Sequence, residues 1–442
     1  MSYSVRTHLT LAVSILLTSS HVLTCAQTRP GPPSETTRQV LQEASSKLPW
    51  SDTHDEQDAR QGFIGTIPNA EIKDSSGRVV WTLGNYDFLA PEQAAPTVHP
   101  SLWRHARLNL QHGLFRVVDG LYQVRGFDLS NMTIIEAEHG IIVVDPLTAV
   151  ENAQAALALY RQHRGNRPVV AVVYTHSHVD HFGGVKGVIT DADVAEGRVQ
   201  VYAPAGFMEE AVSENILAGG AMYRRADYQF GARLPRQADG LVDSGLGKAR
   251  LGGTLSLIAP TRLIDKKLES IRIDGIEVQF QLTPGSEAPA EMQFYLPQFR
   301  VLDMAENAGH LQHNLLPLRG AQVRDANSWA KYINQALDEF GDRSDVVIGQ
   351  HSWPVWGADN VKHFLASQRD LYKYIHDQTL RLANKGYTAS EIAEQLQLPD
   401  SLQREWSAHG LYGDLRHNVK AVYQRYLGWY DANPAHLNPL PP

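Results

Sequence analysis

Pro168-Val169-Val170-Ala171-Val172-Val173-Tyr174-Thr175-His176-Ser177-His178-Val179-Asp180-His181-Phe182-Gly183-Gly184 is the stretch from which the rest of the chain is read. Its first half is continuously apolar, as a strand buried on both faces requires. Its second half packs three imidazoles and a carboxylate into six positions. Alternate side chains of an extended backbone point to one side, so His176 and His178 can reach one ion, and a turn re-aims Asp180 and His181 toward a second. Gly183 and Gly184 let the backbone turn tightly there. Neutral imidazole and carboxylate suit zinc and similar ions. The plainer alternative is a solvated polar loop or an adventitious histidine cluster; the spacing, directly after a buried strand, weighs against it.

Outward from this stretch, residues 121–124, 132–137 and 141–144 read as an antiparallel meander, with His139-Gly140 as a turn. Residues 151–163 have helical spacing of Ala and Leu. The order strand, helix, buried strand places the histidines beyond a strand's C-terminal end, where α/β sheets usually bind ligands. Further on, 271–282 alternates like strands, 327–340 reads as an amphipathic helix, and 345–349 as a short buried strand ending at Gln350-His351. Residues 360–396 are helical, with Thr388 and Glu391 spaced as a capping box. A Trp/Tyr-rich stretch follows at 406–430. Gly245-Leu246-Gly247 lacks the third glycine of a dinucleotide loop, and no phosphate-binding Gly-Lys-Ser/Thr occurs.

The chain has 442 residues, 43% hydrophobic and 20% charged, which fits a soluble globular protein with one large domain and added segments. With 40 Lys plus Arg against 48 Asp plus Glu, its net charge of −8 offers no overall field for nucleic acid. Arg6, the apolar run Leu9 to Leu17 and the small-residue end at Thr24-Cys25-Ala26 read as a Sec signal peptide over 1–26. The apolar run is shorter than the roughly 20 residues of a membrane span. The expectation is an exported protein, periplasmic or secreted, with no stable span in the mature chain; a lipidated Cys25 or an uncleaved anchor are the alternatives. Cys25 is the single cysteine, so the mature chain holds metal through nitrogen and oxygen alone. Residues 27–60, rich in Pro, Ser, Thr, Glu and Asp, read as an exposed or partly disordered arm with little chemistry.

The run His176-x-His178-x-Asp180-His181 resembles the metallo-β-lactamase superfamily signature. Asn109 to Asp145, Thr283 to Met292, Asp303 to Asp325 and Gln350 to Gly357 resemble the secreted bacterial alkylsulfatases that hydrolyse dodecyl sulfate. The resemblance implies an α+β fold, a four-layer αββα sandwich with a helical C-terminal extension. Residues 61–385 would form the catalytic domain and 386–442 the start of a helical dimerisation region. That family continues further, so the expectation is either a truncated chain or a protein that works without the missing region, and homodimerisation is open.

The resemblance also implies a site. Glu287 stands where most superfamily members carry a histidine, Glu306 matches a bridging carboxylate, and His351 matches the last imidazole. One zinc ion would take His176, His178 and Glu287, and a second Asp180, His181 and His351, with Glu306 between them. Two ions about 3.5 to 4 Å apart can hold a hydroxide against a substrate. The implied reaction is zinc-dependent hydrolysis of linear primary alkyl sulfates to alcohol and sulfate, with Asp180, Glu306, Arg319 and Arg324 as catalytic residues. Arg319 and Arg324 would contact the sulfate through guanidinium forks. Tyr223, Tyr423 and Tyr426 are candidate donors to substrate or, alternatively, packed aromatics. His310 and His313 read as structural or supporting. Attack at carbon or sulfur stays open. The rival readings are another anionic ester, a phosphodiester or an aryl sulfate, and a non-catalytic amphiphile-binding protein.

Overall fold

A computed structural model describes residues 31–249 and 251–441. The expected signal peptide over 1–26, with Cys25, lies outside the described residues. The chain divides into the units Met1–Pro32 and Pro33–Pro442, and the second unit holds every element named below.

Two sheets face each other. The first orders its strands Phe63–Gly65, Gly113–Val118, Leu121–Arg125, Met132–Glu136, Ile141–Val144, Val169–Val173, Gln200–Pro204 and Arg262–Ile264. It is antiparallel up to Ile141–Val144 and parallel beyond. The second runs Leu268–Ile273, Ile276–Leu282, Met292–Leu296, Val301–Asp303, Val346–Ile348 and Val355–Trp356. Among the described residues, only its Val301–Asp303/Val346–Ile348 pair is parallel.

Strand alternation builds the layers. Ile142, Val144, Ala171 and Val173 point between the sheets, where they meet Phe280, Phe294, Val301, Val346 and Ile348. Their neighbours Ile141, Val143 and Val172 point outward, into a cluster with Ala156, Leu157 and Tyr160 of the helix Val150–Arg164. Across the molecule, Leu302 and Val347 pack on Trp329, Ile333 and Ala336 of the helix Ala326–Phe340 and on Leu365 and Tyr372 of Ala358–Ala383. Every strand of these central pairs is therefore apolar on both faces, and the result is helix, sheet, sheet, helix: the expected αββα sandwich.

Local signals set the helix ends. Asp325 caps Ala326–Phe340 by accepting from the backbone of Asn327 and Ser328, a contact of about 1 kcal/mol. The Thr388/Glu391 capping box forms at the start of Ala389–Gln395, and the helical expectation over 360–396 resolves into two helices broken at 384–388. The arm lies exposed or half-buried along nearly its whole described length. It forms the helices Glu35–Ser46 and His54–Asp58. Asp55 is drawn inward, where Arg104 Nη1 and Trp353 Nε1 each donate to it at 3.0 Å. Among the described residues no helix is long and apolar enough to cross a membrane.

Candidate metal centre

Both sheets end their inner strands at one edge, and the residues just past those ends make the site. Asp145 follows Ile141–Val144, the histidine loop follows Val169–Val173, Glu306 follows Val301–Asp303, and His351 follows Val346–Ile348. Glu287 lies in the loop entering Met292–Leu296. A bridge between His176 and Glu291, with Met292 N donating to Thr175 O at 2.9 Å, stitches the two sheets here. Asp145, Leu147, Ala305 and Ser352 adopt φ of 49°, 63°, 51° and 62°. Strained non-glycine backbone thus clusters where the strand ends must aim side chains. Gly183 and Gly184 serve through space: a Cβ on them would stand 2.3 Å from Thr148 O and 2.2 Å from Pro146 O.

The seven side chains picked out in sequence converge. His178 Nδ1 and His176 Nε2 stand 2.8 and 3.4 Å from Glu287 Oε2. His181 Nε2 and His351 Nε2 stand 3.2 and 3.5 Å from Asp180 Oδ2. Glu306 lies between the groups, with Oε2 at 3.2 Å from His176 Nε2 and 3.8 Å from His181 Nε2, and Oε1 against His351 Nε2. His176, His178, Glu287 and Glu306 form one set able to hold an ion, and Asp180, His181 and His351 another, each with its donor atoms within 4.8 Å of one another.

Their tautomers are held from behind. His181 Nδ1 faces Asp145 Oδ2 at 2.9 Å, His351 Nδ1 donates to Leu129 O at 3.0 Å, and His176 Nδ1 faces Thr175 Oγ1 at 2.9 Å. The inward atoms, His176 Nε2, His181 Nε2, His351 Nε2, Glu287 Oε2 and Glu306 Oε1, are buried without a hydrogen-bond partner among the described residues. Buried polar atoms are rarely left so, and lone pairs aimed at common points are what a divalent cation satisfies. The donor set fits metal ions.

The charges here are strongly coupled. Burial disfavours a charged His178, yet the Glu287 and Glu214 carboxylates outweigh it and push its pKa up to about 9. Burial opposes an ionised Glu287, but Arg324 beside it brings the carboxyl down to about 2. Burial and the nearby Glu287 push Glu291 up to about 8, and burial pushes Asp303 up to about 8. In both, burial favours the neutral carboxyl. Glu291 instead shapes the Glu287 loop, accepting from Ser286 Oγ, Glu287 N and Ala288 N at 2.8, 3.0 and 3.2 Å.

The two arginines separate. Arg319 commits Nη1 to Glu214 Oε2 at 3.0 Å and to Gly320 O at 3.1 Å, and its Nε and Nη2 edge makes no hydrogen bond among the described residues. Arg324 does not fit the expectation of a sulfate contact. It is buried and directs Nη2 to Glu287 Oε1 and Nη1 to Asn314 Oδ1, both at 2.5 Å, with His313 Nδ1 at 3.0 Å. His313, pushed down to about 4 by burial and by Arg324, supports this pair. The tyrosines are not gathered with the donors. Tyr223 is 76% exposed, Tyr423 packs on Leu382, Ile392 and Val419, and Tyr426 Oη bonds His376 Nε2 at 2.8 Å.

Sequence reading missed Asp145, Glu214 and Tyr412. Tyr412 packs edge-on against His313 at 4.9 Å, and burial pushes its pKa up to about 12. Asp145 left one signal, an acid directly after the apolar run 141–144.

Two facing sheets with a His-x-His-x-Asp-His loop at their shared edge define a metallo-β-lactamase fold. The family model of the metallo-beta-lactamase superfamily matches residues 125–351, and the chain belongs to that superfamily. A second family model, alkyl sulfatase dimerisation, matches residues 388–442. Within the superfamily the chain is similar to sulfatases. It is 57% identical to the alkyl/aryl-sulfatase BDS1 of Saccharomyces cerevisiae, over 90% of this chain and 62% of that protein. It is 50% identical to a linear primary-alkylsulfatase of Pseudomonas sp., over 93% of this chain and 61% of the relative. The solved structure of the stereoselective inverting sec-alkylsulfatase Pisa1 from Pseudomonas sp. superposes with a TM-score of 0.91 at 53% identity, covering 93% of this chain and 65% of that one. The chain spans less than two thirds of the length of each.

Proposed function

We propose that this chain hydrolyses linear primary alkyl sulfates, such as dodecyl sulfate, to alcohol and inorganic sulfate at a centre of two zinc ions. The observation that carries this reading is the convergence of unpartnered, buried donor atoms in two adjoining sets, in a chain half identical to alkylsulfatases. His176, His178 and Glu287 would hold one ion, Asp180, His181 and His351 the other, with Glu306 between. When bound, such a pair supplies Lewis acidity and an activated water.

The chain's own residues do the rest. Arg319 offers its Nε/Nη2 edge to two sulfate oxygens, a bidentate fit that lysine cannot make. Arg324 holds Glu287 in place. Asp145, through His181 and Thr175, keeps imidazole lone pairs turned inward. One relative is described as inverting, and inversion requires attack at the ester carbon. Carried to this chain, the carbon–oxygen bond breaks and sulfate leaves with the bridging oxygen. Export through the leader 1–26 belongs to the same reading, as does a homodimer, supported by the match over 388–442.

An aryl sulfate is the second substrate to consider, because one relative is named an alkyl/aryl-sulfatase. The test offers the purified chain dodecyl sulfate, an aryl sulfate and a phosphodiester. Sulfate release from dodecyl sulfate that exceeds turnover of the other two supports the proposal; preference for the phosphodiester overturns it.

A further inference from the structure

Glu214 belongs to neither set of metal donors, yet one of its oxygens touches both halves of the site. It sits in a π-helical turn, Ser213–Leu217, between the helices Phe207–Val212 and Gly219–Phe230. Such turns are rare and are often found at functional sites. Its side chain is 9% exposed. Oε2 stands 3.0 Å from Arg319 Nη1 and 3.5 Å from His178 Nε2. The helix Gly219–Phe230 also anchors the arginine's backbone and its neighbour, since Arg319 N donates to Gln229 Oε1 at 2.7 Å and Arg225 Nε to Leu318 O at 2.9 Å.

We propose that Glu214 is a positioning residue that couples one metal set to sulfate recognition. His178 Nε2 is buried without a hydrogen-bond partner among the described residues, and the Glu214 carboxylate 3.5 Å away favours the proton on that nitrogen, leaving Nδ1, 2.8 Å from Glu287 Oε2, as the metal donor. By engaging Arg319 through Nη1 alone, it turns the opposite edge of the guanidinium outward as a fork for two ester oxygens. A single carboxylate thus sets both the ion and the cation that must grip one substrate. The inference rests on the reading of Arg319 as the sulfate contact, but its metal half stands apart from it.

The experiment compares wild type with Glu214→Gln, Glu214→Ala and, as control, Glu210→Gln on the preceding helix. Zinc affinity is read by chelator competition without substrate, together with the visible spectrum of the cobalt-loaded proteins. Turnover of dodecyl sulfate is split into kcat and KM. Glu214→Ala should lower affinity for one ion by about 10- to 100-fold, alter the cobalt spectrum and raise KM at least tenfold. Glu214→Gln, which keeps an accepting oxygen but no charge, should fall between, and Glu210→Gln should match wild type. Folded Glu214 variants with unchanged zinc affinity, or with a raised KM but an unaltered cobalt spectrum, would overturn the coupling. If wild type itself releases no sulfate, the functional reading fails, and the zinc comparison alone decides the role of Glu214.

Discussion

Arg324 and Glu287 form a buried ion pair, Nη2 to Oε1 at 2.5 Å, with side chains 4% and 2% exposed. The pairing occupies one carboxylate oxygen and leaves the other facing His176 and His178. Arg324→Ala leaves an uncompensated buried carboxylate, and the expected loss is about 3–5 kcal/mol of stability with weaker zinc binding. Arg324→Lys restores the charge but not the contacts to Asn314 and His313, so it should recover only part. Denaturant unfolding and zinc competition read both. A variant of native stability with a raised KM would instead make Arg324 a substrate contact.

Gly184 marks where the histidine loop crosses the chain at Pro146. A Cβ at this position would meet Pro146 O at 2.2 Å and Ala149 O at 2.7 Å, both backbone atoms that cannot swing aside. Gly184→Ala should therefore cost more than the roughly 1–3 kcal/mol of ordinary overpacking and reduce soluble yield. Gly309→Ala, with nothing within 4 Å, should be tolerated. Equal melting temperatures for the two variants would contradict the packing argument.

The sequence showed more of the sandwich than of the site. The apolar runs at 141–144 and 168–174 announced strands buried on both faces, because covering both sides leaves no polar alternation. The histidine run carried four of the seven donors on its own. Glu287, Glu306 and His351 lie far along the chain from His181 and emerged only through family resemblance. Asp145 showed only as an acid closing an apolar run, and Glu214 and Asp55 were invisible, because a carboxylate's partner is set by tertiary folding. The pairing of Arg324 with Glu287 was invisible for the same reason: spacing does not reveal which acid an arginine will find.

Asp55 ties the N-terminal helices to the loop carrying His351, through Trp353 and, at 3.1 Å, His310 Nδ1. Burial works against its ionised form, but His310 and Arg104 outweigh that and hold its carboxyl well below the usual range. With the folded pKa below the unfolded value of about 3.9, its contribution is present above about pH 4 and lost as pH falls through the folded value. Asp55→Asn should cost on the order of 3 kcal/mol at pH 7. That gap should narrow steadily as pH falls below about 4 in denaturant titrations. A gap of constant size would show that Asp55 acts without its charge.

Attack at carbon has an isotopic signature. In ¹⁸O-enriched water the proposed reaction places the label in the alcohol and leaves the sulfate unlabelled. Mass spectrometry of both products settles it, and label in the sulfate would move the attack to sulfur.

The proposed chemistry depends above all on two metal ions, held by His176, His178, Glu287, Asp180, His181, His351 and Glu306, acting together on a sulfate ester. Its most direct test strips the metal with chelator and returns zinc stepwise while following sulfate release from dodecyl sulfate. The expected result is no turnover without metal, a rise that breaks at two equivalents per chain, and no recovery in Glu306→Gln. Full activity at one equivalent, or turnover that survives chelation, would contradict it.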